Sequence, residues 1–224
     1  MKKTLIAASI AALSASFVAA PALADLPDGF GAHLGATLGQ PLDSDDDTSL
    51  ELEAGLDFEH ESGVYTGILF TTYDLLESDA DFDHSTVELT LGFASSINEQ
   101  LAYDLGVTFE QALDTDEDET IEAYVGANYA LDSYTAFSAY FTKDLDSDID
   151  ESELEFGADY TGLDAADLFA SFTLGLEDND ELTLEVGAGK EFIEQHYVTG
   201  AFIIDLDSDA DDDGKLEFTY TYSF

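Results

Sequence analysis

The sequence predicts an all-β fold, a transmembrane antiparallel up-and-down β-barrel of twelve strands. Three observations predict it. Apolar residues recur at every second position in twelve separate stretches. The connections between stretches alternate between acidic runs and shorter links. No segment beyond residue 24 approaches the roughly 18 continuous apolar residues of a membrane helix, so a bilayer could be crossed only by strands closed on themselves, with every backbone N–H and C=O paired.

The first 24 residues stand apart. Lys2 and Lys3 precede an apolar run from Leu5 to Val18 and a small-residue site at Ala22-Leu23-Ala24, the pattern of a secretory signal peptide cleaved before Asp25. What remains is read as one domain, 25–224. Its strands follow in order: Phe30–Leu38, Leu50–Phe58, Val64–Tyr73, Val87–Phe93, Leu101–Phe109, Ile121–Tyr129, Tyr134–Lys143, Leu154–Tyr160, Leu168–Leu176, Leu182–Ala188, Tyr197–Ile204 and Leu216–Phe224. Alternation is weakest in the third, seventh and eleventh. Beyond Pro27 the only proline is Pro41, at a strand end, as a ladder of N–H donors requires.

The connections sort by charge. Those at 41–48, 74–84, 112–119, 144–152, 177–181 and 205–214 hold 29 acids in 51 positions, against 7 in 24 for those at 59–62, 95–100, 131–134, 163–166 and 191–196. Acidity therefore belongs to one end of the barrel. Long loops outside and tight turns inside, with an even strand number placing both termini inside, is the arrangement of outer-membrane barrels. A secreted β-sandwich would also alternate, but it has no reason to sort its loops this way. Nor would it gather aromatics beside the short links, as Phe58, Tyr65, Phe93, Tyr103, Tyr129, Tyr134, Tyr160 and Tyr197 do, in the manner of a membrane girdle.

The chain carries 51 acids against five lysines and no arginine, and three of those lysines, Lys143, Lys190 and Lys215, lie beyond residue 24. That balance excludes nucleic acid as a partner, since affinity for phosphate backbones comes from Lys and Arg. Cysteine is absent, which removes disulfides and thiolate metal sites.

Residues between the apolar ones should face the lumen. Glycine recurs there, at Gly35, Gly55, Gly92, Gly106, Gly126, Gly157, Gly175 and Gly187. These glycines would widen the lumen, or allow strand coiling, or both. The other inward positions are rich in carboxylates: Glu51, Glu53, Glu88, Glu110, Glu122, Glu153, Glu155, Glu185 and Glu217 toward the acidic end, and Asp57, Asp104 and Asp159 toward the turns. Rings of acids select cations. The expected activity is passive diffusion of small solutes with a cation preference that weakens as pH falls. The alternative is a closed structural barrel whose acidic loops bind divalent cations.

Other chemistry is sparse. Asp209, Asp211 and Asp213 ahead of Gly214 imitate the start of a calcium loop, but position 220 holds Tyr220 where an EF-hand needs a carboxylate. Loose uptake of Ca2+ or Mg2+ is expected, which could bridge the loops to lipopolysaccharide. No other cofactor is expected. His33, His60, His84 and His196 show no metal spacing and read as interfacial polar residues. His84 and Ser85 are neighbours on a strand, facing opposite sides, so no nucleophile–base pair and no enzyme activity is expected.

Two resemblances add to this reading. The C-terminal strand, ending on Phe224, resembles the aromatic-ended signal by which outer-membrane barrels engage their assembly machinery. From about Leu52 to Tyr129 the chain resembles the TorF-like porin family, in His60-Glu-Ser-Gly-Val-Tyr-Thr-Gly67, Glu88-Leu-Thr-Leu-Gly92-Phe93, Leu101-Ala-Tyr-Asp-Leu-Gly-Val107 and Glu122-Ala-Tyr-Val-Gly126. The resemblance implies a small porin-like channel in the outer membrane. Twelve-stranded channels for acidic oligosaccharides are similar in architecture but basic inside, and the lack of arginine argues against that substrate class.

Overall fold

Backbone N–H and C=O groups in a strand wall need ladder partners on both sides of every strand, and closure supplies them. The computed structural model describes residues 29–42, 48–73, 75–76, 85–113, 119–145, 152–176, 182–206 and 213–224, with Asp213 placed in its backbone alone. The signal segment, His84, Asp209 and Asp211 lie outside the described residues. The strands are β1 (Phe30–Pro41), β2 (Ser49–Glu59), β3 (Val64–Thr72), β4 (Ser85–Ser96), β5 (Leu101–Ala112), β6 (Thr120–Ala130), β7 (Thr135–Asp144), β8 (Ser152–Tyr160), β9 (Asp167–Gly175), β10 (Leu182–Ile193), β11 (His196–Asp205) and β12 (Asp213–Ser223). Each pairs antiparallel with its chain neighbours, and β1 closes on β12 in one barrel, from His33 opposite Ser223 to Pro41 opposite Lys215.

Large apolar side chains are exposed on one face of the wall all the way round. Leu34, Leu56, Leu91, Val125, Phe156 and Phe218 are each about half exposed, at 48–58%. On the other face of β4, Thr90 is 3% and Glu88 7% exposed. Strands of 9–12 residues match the span of a bilayer core by tilted strands. The outer face thus has the character of a protein core turned outward, and hydrocarbon is the solvent that suits it, at roughly 25 cal/mol for each Å2 removed from water.

The short links sit at one end, between β2 and β3, β4 and β5, β6 and β7, β8 and β9, and β10 and β11. Local hydrogen bonds make several of them tight. Asn98 Oδ1 accepts from the N–H groups of Gln100 (2.8 Å) and Leu101 (3.0 Å). Asp132 Oδ1 accepts from Tyr134 and Thr135, both at 2.8 Å. The claim on Tyr134 is one reason β7 begins at Thr135, one residue later than expected. The β10–β11 link shrinks to Glu194 and Gln195, with Gln195 at φ +71° and its N–H capped by Glu191 Oε1.

The aromatic girdle is partly as expected. Phe58 stacks on Phe30 at 4.7 Å and Phe93 lies 6.3 Å from Tyr103, while Tyr129, Tyr134 and Tyr160 are exposed. Two members are corrected. Tyr65 and Tyr197 take the opposite parity from the exposed Val64 and Val198, so they point into the barrel, and Tyr65 is only 7% exposed.

Candidate functional site

The inner wall has two levels. Toward the acidic end it is dense in carboxylate. Glu51, Glu53, Glu88, Glu110, Glu122, Glu153, Glu155, Glu185 and Glu217 all stand on the face opposite the exposed leucines, and Asp57, Asp104 and Asp159 stand on it nearer the turns. The register sets like charges directly across from one another: Glu88 faces Glu110, and Glu122 faces Asp144. Such pairs repel. Hydroxyls offset part of this, with Thr90 donating to Glu88 at 3.1 Å, Ser171 to Glu185 at 3.5 Å and Thr183 to Asp205 at 2.7 Å. Among the described residues Lys215 is the one lysine of inward parity, and its Nζ lies 2.5 Å from Glu217 Oε1.

The glycines reveal what the sequence reading lacked. Seven of the eight expected on the inner face lie in register beside a larger inward side chain, and that side chain occupies the space where a Cβ would be. Tyr65 lies over Gly92, Tyr124 over Gly106, Tyr140 over Gly126 and Phe169 over Gly187; Ser138 covers Gly157, Glu53 covers Gly35, and His33 covers Gly55. The room left by each missing side chain is taken by a neighbour lying back against the wall, a cross-strand arrangement in which an aromatic shields glycine backbone. His33 is therefore an inward residue, not an interfacial one. It sits between Glu53 and Asp57, 3.9 Å from a carboxylate oxygen of each.

On the arc from β3 to β6 two of the rings form one hydrogen-bonded chain with Asp104. Tyr65 donates to Asp104 Oδ2 at 3.5 Å, and its oxygen meets the Tyr124 hydroxyl. A phenol has one proton, so Tyr124 is the donor to Tyr65. From the other side Asn128 Nδ2 donates to the Tyr140 oxygen at 2.8 Å. Across the barrel Tyr197 lies against Gly189 and donates to Asp167 Oδ2 at 3.5 Å. The inward parity of Tyr65, Tyr124, Asn128, Tyr140, Asp144 and Asp167 was available in the sequence. What was missing was the register that lays each ring on its glycine.

Among the described residues no group of three acids or histidines is placed to hold a metal ion. Of the calcium-loop aspartates, Asp209 and Asp211 lie outside the described residues, as does the side chain of Asp213. Ser85 is buried at the acidic end of β4. His60 Nδ1 pairs with Ser62 in a turn and His196 Nδ1 with the Tyr220 hydroxyl among rim aromatics.

No family model matches the chain and no curated protein matches it, so the likeness to the TorF-like porins rests on the segments quoted above. Solved structures do match. The KdgM porin, alone and in complex with disordered oligogalacturonate, aligns over 86% of this chain and 99% of its own with a TM-score of 0.65 and 9% identity. The NanC porin aligns over 84% and 98% with a TM-score of 0.64 and 11% identity. The Pseudomonas putida toluene transporter TodX aligns over 93% and 92% with a TM-score of 0.52 and 10% identity. At these identities what is shared is the fold.

Proposed function

We propose that this chain is a porin-like channel of the outer membrane, which lets small solutes diffuse passively and prefers cations. The wall composition carries the reading. Carboxylates populate the inner face of strands all round the barrel, and among the described residues Lys215 is the one inward lysine. A wall of low dielectric focuses that field, raising the local concentration of cations and opposing anions. The apolar outer face, the strand lengths and the likeness in fold to porins support the outer-membrane setting. Export by the N-terminal segment and assembly through the C-terminal strand are part of the same proposal, as is loose binding of Ca2+ or Mg2+ by the acidic loops, bridging them to lipopolysaccharide.

The solute class differs from that named for the complexed neighbour. Oligogalacturonate is a polyanion, and a polyanion entering this barrel would meet the carboxylate wall without arginine to receive it. Small cationic or neutral solutes fit instead. A closed barrel is the second reading, favoured by how thoroughly some inward side chains are covered, Thr90 and Glu88 among them.

Reversal potentials of the refolded protein in a planar bilayer, under a potassium chloride gradient, test the proposal. A potential of cation-selective sign is expected at neutral pH, shrinking as pH falls toward the ordinary carboxylate range near about 4. A chloride-selective sign would defeat it.

A further inference from the structure

We infer that the tyrosine-on-glycine rows of the β3–β7 arc set the calibre of the lumen on the turn side of the carboxylates. The inference rests on the reading of the barrel as a channel. Tyr65, Gly92, Gly106 and Tyr124 follow one another across four strands in a single row of register. Asp104, Gly126 and Tyr140 form a second row one step closer to the turns. Three rings therefore lie on three glycines on one side of the wall, with the Tyr65 hydroxyl on Asp104, the Tyr124 hydroxyl on Tyr65 and the Tyr140 hydroxyl held by Asn128.

Two consequences follow from that geometry. First, the rings are anchored at both ends, by Cβ to their own strands and by hydroxyl to Asp104, Tyr65 or Asn128, so they cannot swing aside as a solute passes. Second, the glycines fix how far each ring stands from the wall. A ring lying on bare backbone projects by about one carbon contact distance, roughly 3.5 Å. A ring lifted off by a Cβ would project further. Phe169 on Gly187 and Tyr197 on Gly189 repeat the device on the β9–β11 side. The narrowing thus belongs to side chains of the wall, fixed in place by sheet register.

The same geometry predicts opposite signs for two kinds of substitution. In the double variant Tyr124→Ala and Tyr140→Ala, removal of two rings widens the passage. In Gly92→Ala or Gly126→Ala, the nearest atoms to the new Cβ all belong to the Tyr65 or Tyr140 side chain, so the ring is pushed into the lumen and the passage narrows. Phe137→Ala, on the lipid side of β7, is the control.

Single-channel conductance and liposome swelling with sugars of graded size read the result, on variants that keep the heat-modifiable gel mobility of a folded barrel. The tyrosine double variant is expected to conduct about twofold or more above wild type and to admit larger sugars, since passage scales with pore diameter. The glycine variants should conduct less, and the control should match wild type. If wild type conducts and both classes match it, this inference falls and the channel reading stands. If wild type is silent but the tyrosine variant conducts, the open-channel reading falls and the role of the rings stands. Silence in both overturns both.

Discussion

Tyr65 and Tyr124, three strands apart on β3 and β6, meet hydroxyl to hydroxyl above a cross-strand pair of glycines, Gly92 and Gly106. A Cβ on Gly92 would meet the Tyr65 ring and one on Gly106 the Tyr124 ring, so four residues on four strands depend on one register. The contact couples β3 to β6 without any backbone pairing between them. Tyr124→Phe removes one hydrogen bond and leaves the ring in place, at a cost of about 0.5–1.5 kcal/mol. Tyr65→Phe removes two, including the donor to Asp104, and should cost more. Equilibrium urea unfolding of the refolded barrel in detergent measures both, and equal values for the two variants would contradict the chain of donors.

Two glycines of the same hairpin region should respond oppositely to alanine. Gly63 has φ +88°, and a Cβ there would overlap the backbone oxygen of Ala94. Backbone cannot yield as a side chain can, and the left-handed conformation disfavours alanine in any case. Gly63→Ala should cost upward of about 1 kcal/mol. Gly67, on the inner face of β3, has ordinary φ, and its Cβ would find only Leu56 O at 3.8 Å and Thr90 Cβ at 3.9 Å. Gly67→Ala should be neutral or stabilising by up to about 1 kcal/mol, through the lower entropy of the unfolded chain. The same urea titration compares them.

The opposed carboxylates link stability to selectivity. Glu88 and Glu110 face each other across β4 and β5. Glu110→Gln removes one of two like charges while keeping the size and an acceptor oxygen. Relief of a like-charge cross-strand pair is worth roughly 0.2–1 kcal/mol. The variant should therefore unfold at higher urea while its reversal potential moves toward zero. A more stable barrel with unchanged selectivity would place this pair outside the permeation path.

The barrel was legible because its determinants are local and periodic. Leu101, Tyr103, Leu105, Val107 and Phe109 alternate as a wall with two different surroundings requires, and the charge sorting of the connections fixed which ends belong together. Strand ends were less legible: Asp144 and Asp205 look like loop acids in sequence, yet the ladder runs through both. The tyrosine rows were not legible at all, because Tyr140 on Gly126 is a relation between strands, set by a register that period-two counting leaves free. Parity alone would have turned Tyr65 and Tyr197 inward, had their position beside the short links not suggested a girdle.

The β6–β7 turn offers a test outside the membrane span. Asp132 is fully exposed, and the N–H groups of Tyr134 and Thr135, each 2.8 Å from its Oδ1, hold its carboxyl below the usual carboxylate range. A depressed value in the folded state means that the ionised form stabilises the turn. That contribution is complete above the unfolded value of about 3.9 and is lost as pH falls through the lower folded value. Between about pH 5 and 7, above the titration range of an ordinary carboxyl, the turn should be indifferent to pH. Asp132→Asn keeps the acceptor and should remove the acid-dependent loss. Asp132→Ala removes the acceptor and should loosen the turn at every pH. Amide exchange at Thr135, corrected for intrinsic rates, distinguishes the three proteins; wild-type protection in the alanine variant would show that the ladder of β7, and not the Asp132 cap, holds this end of the strand.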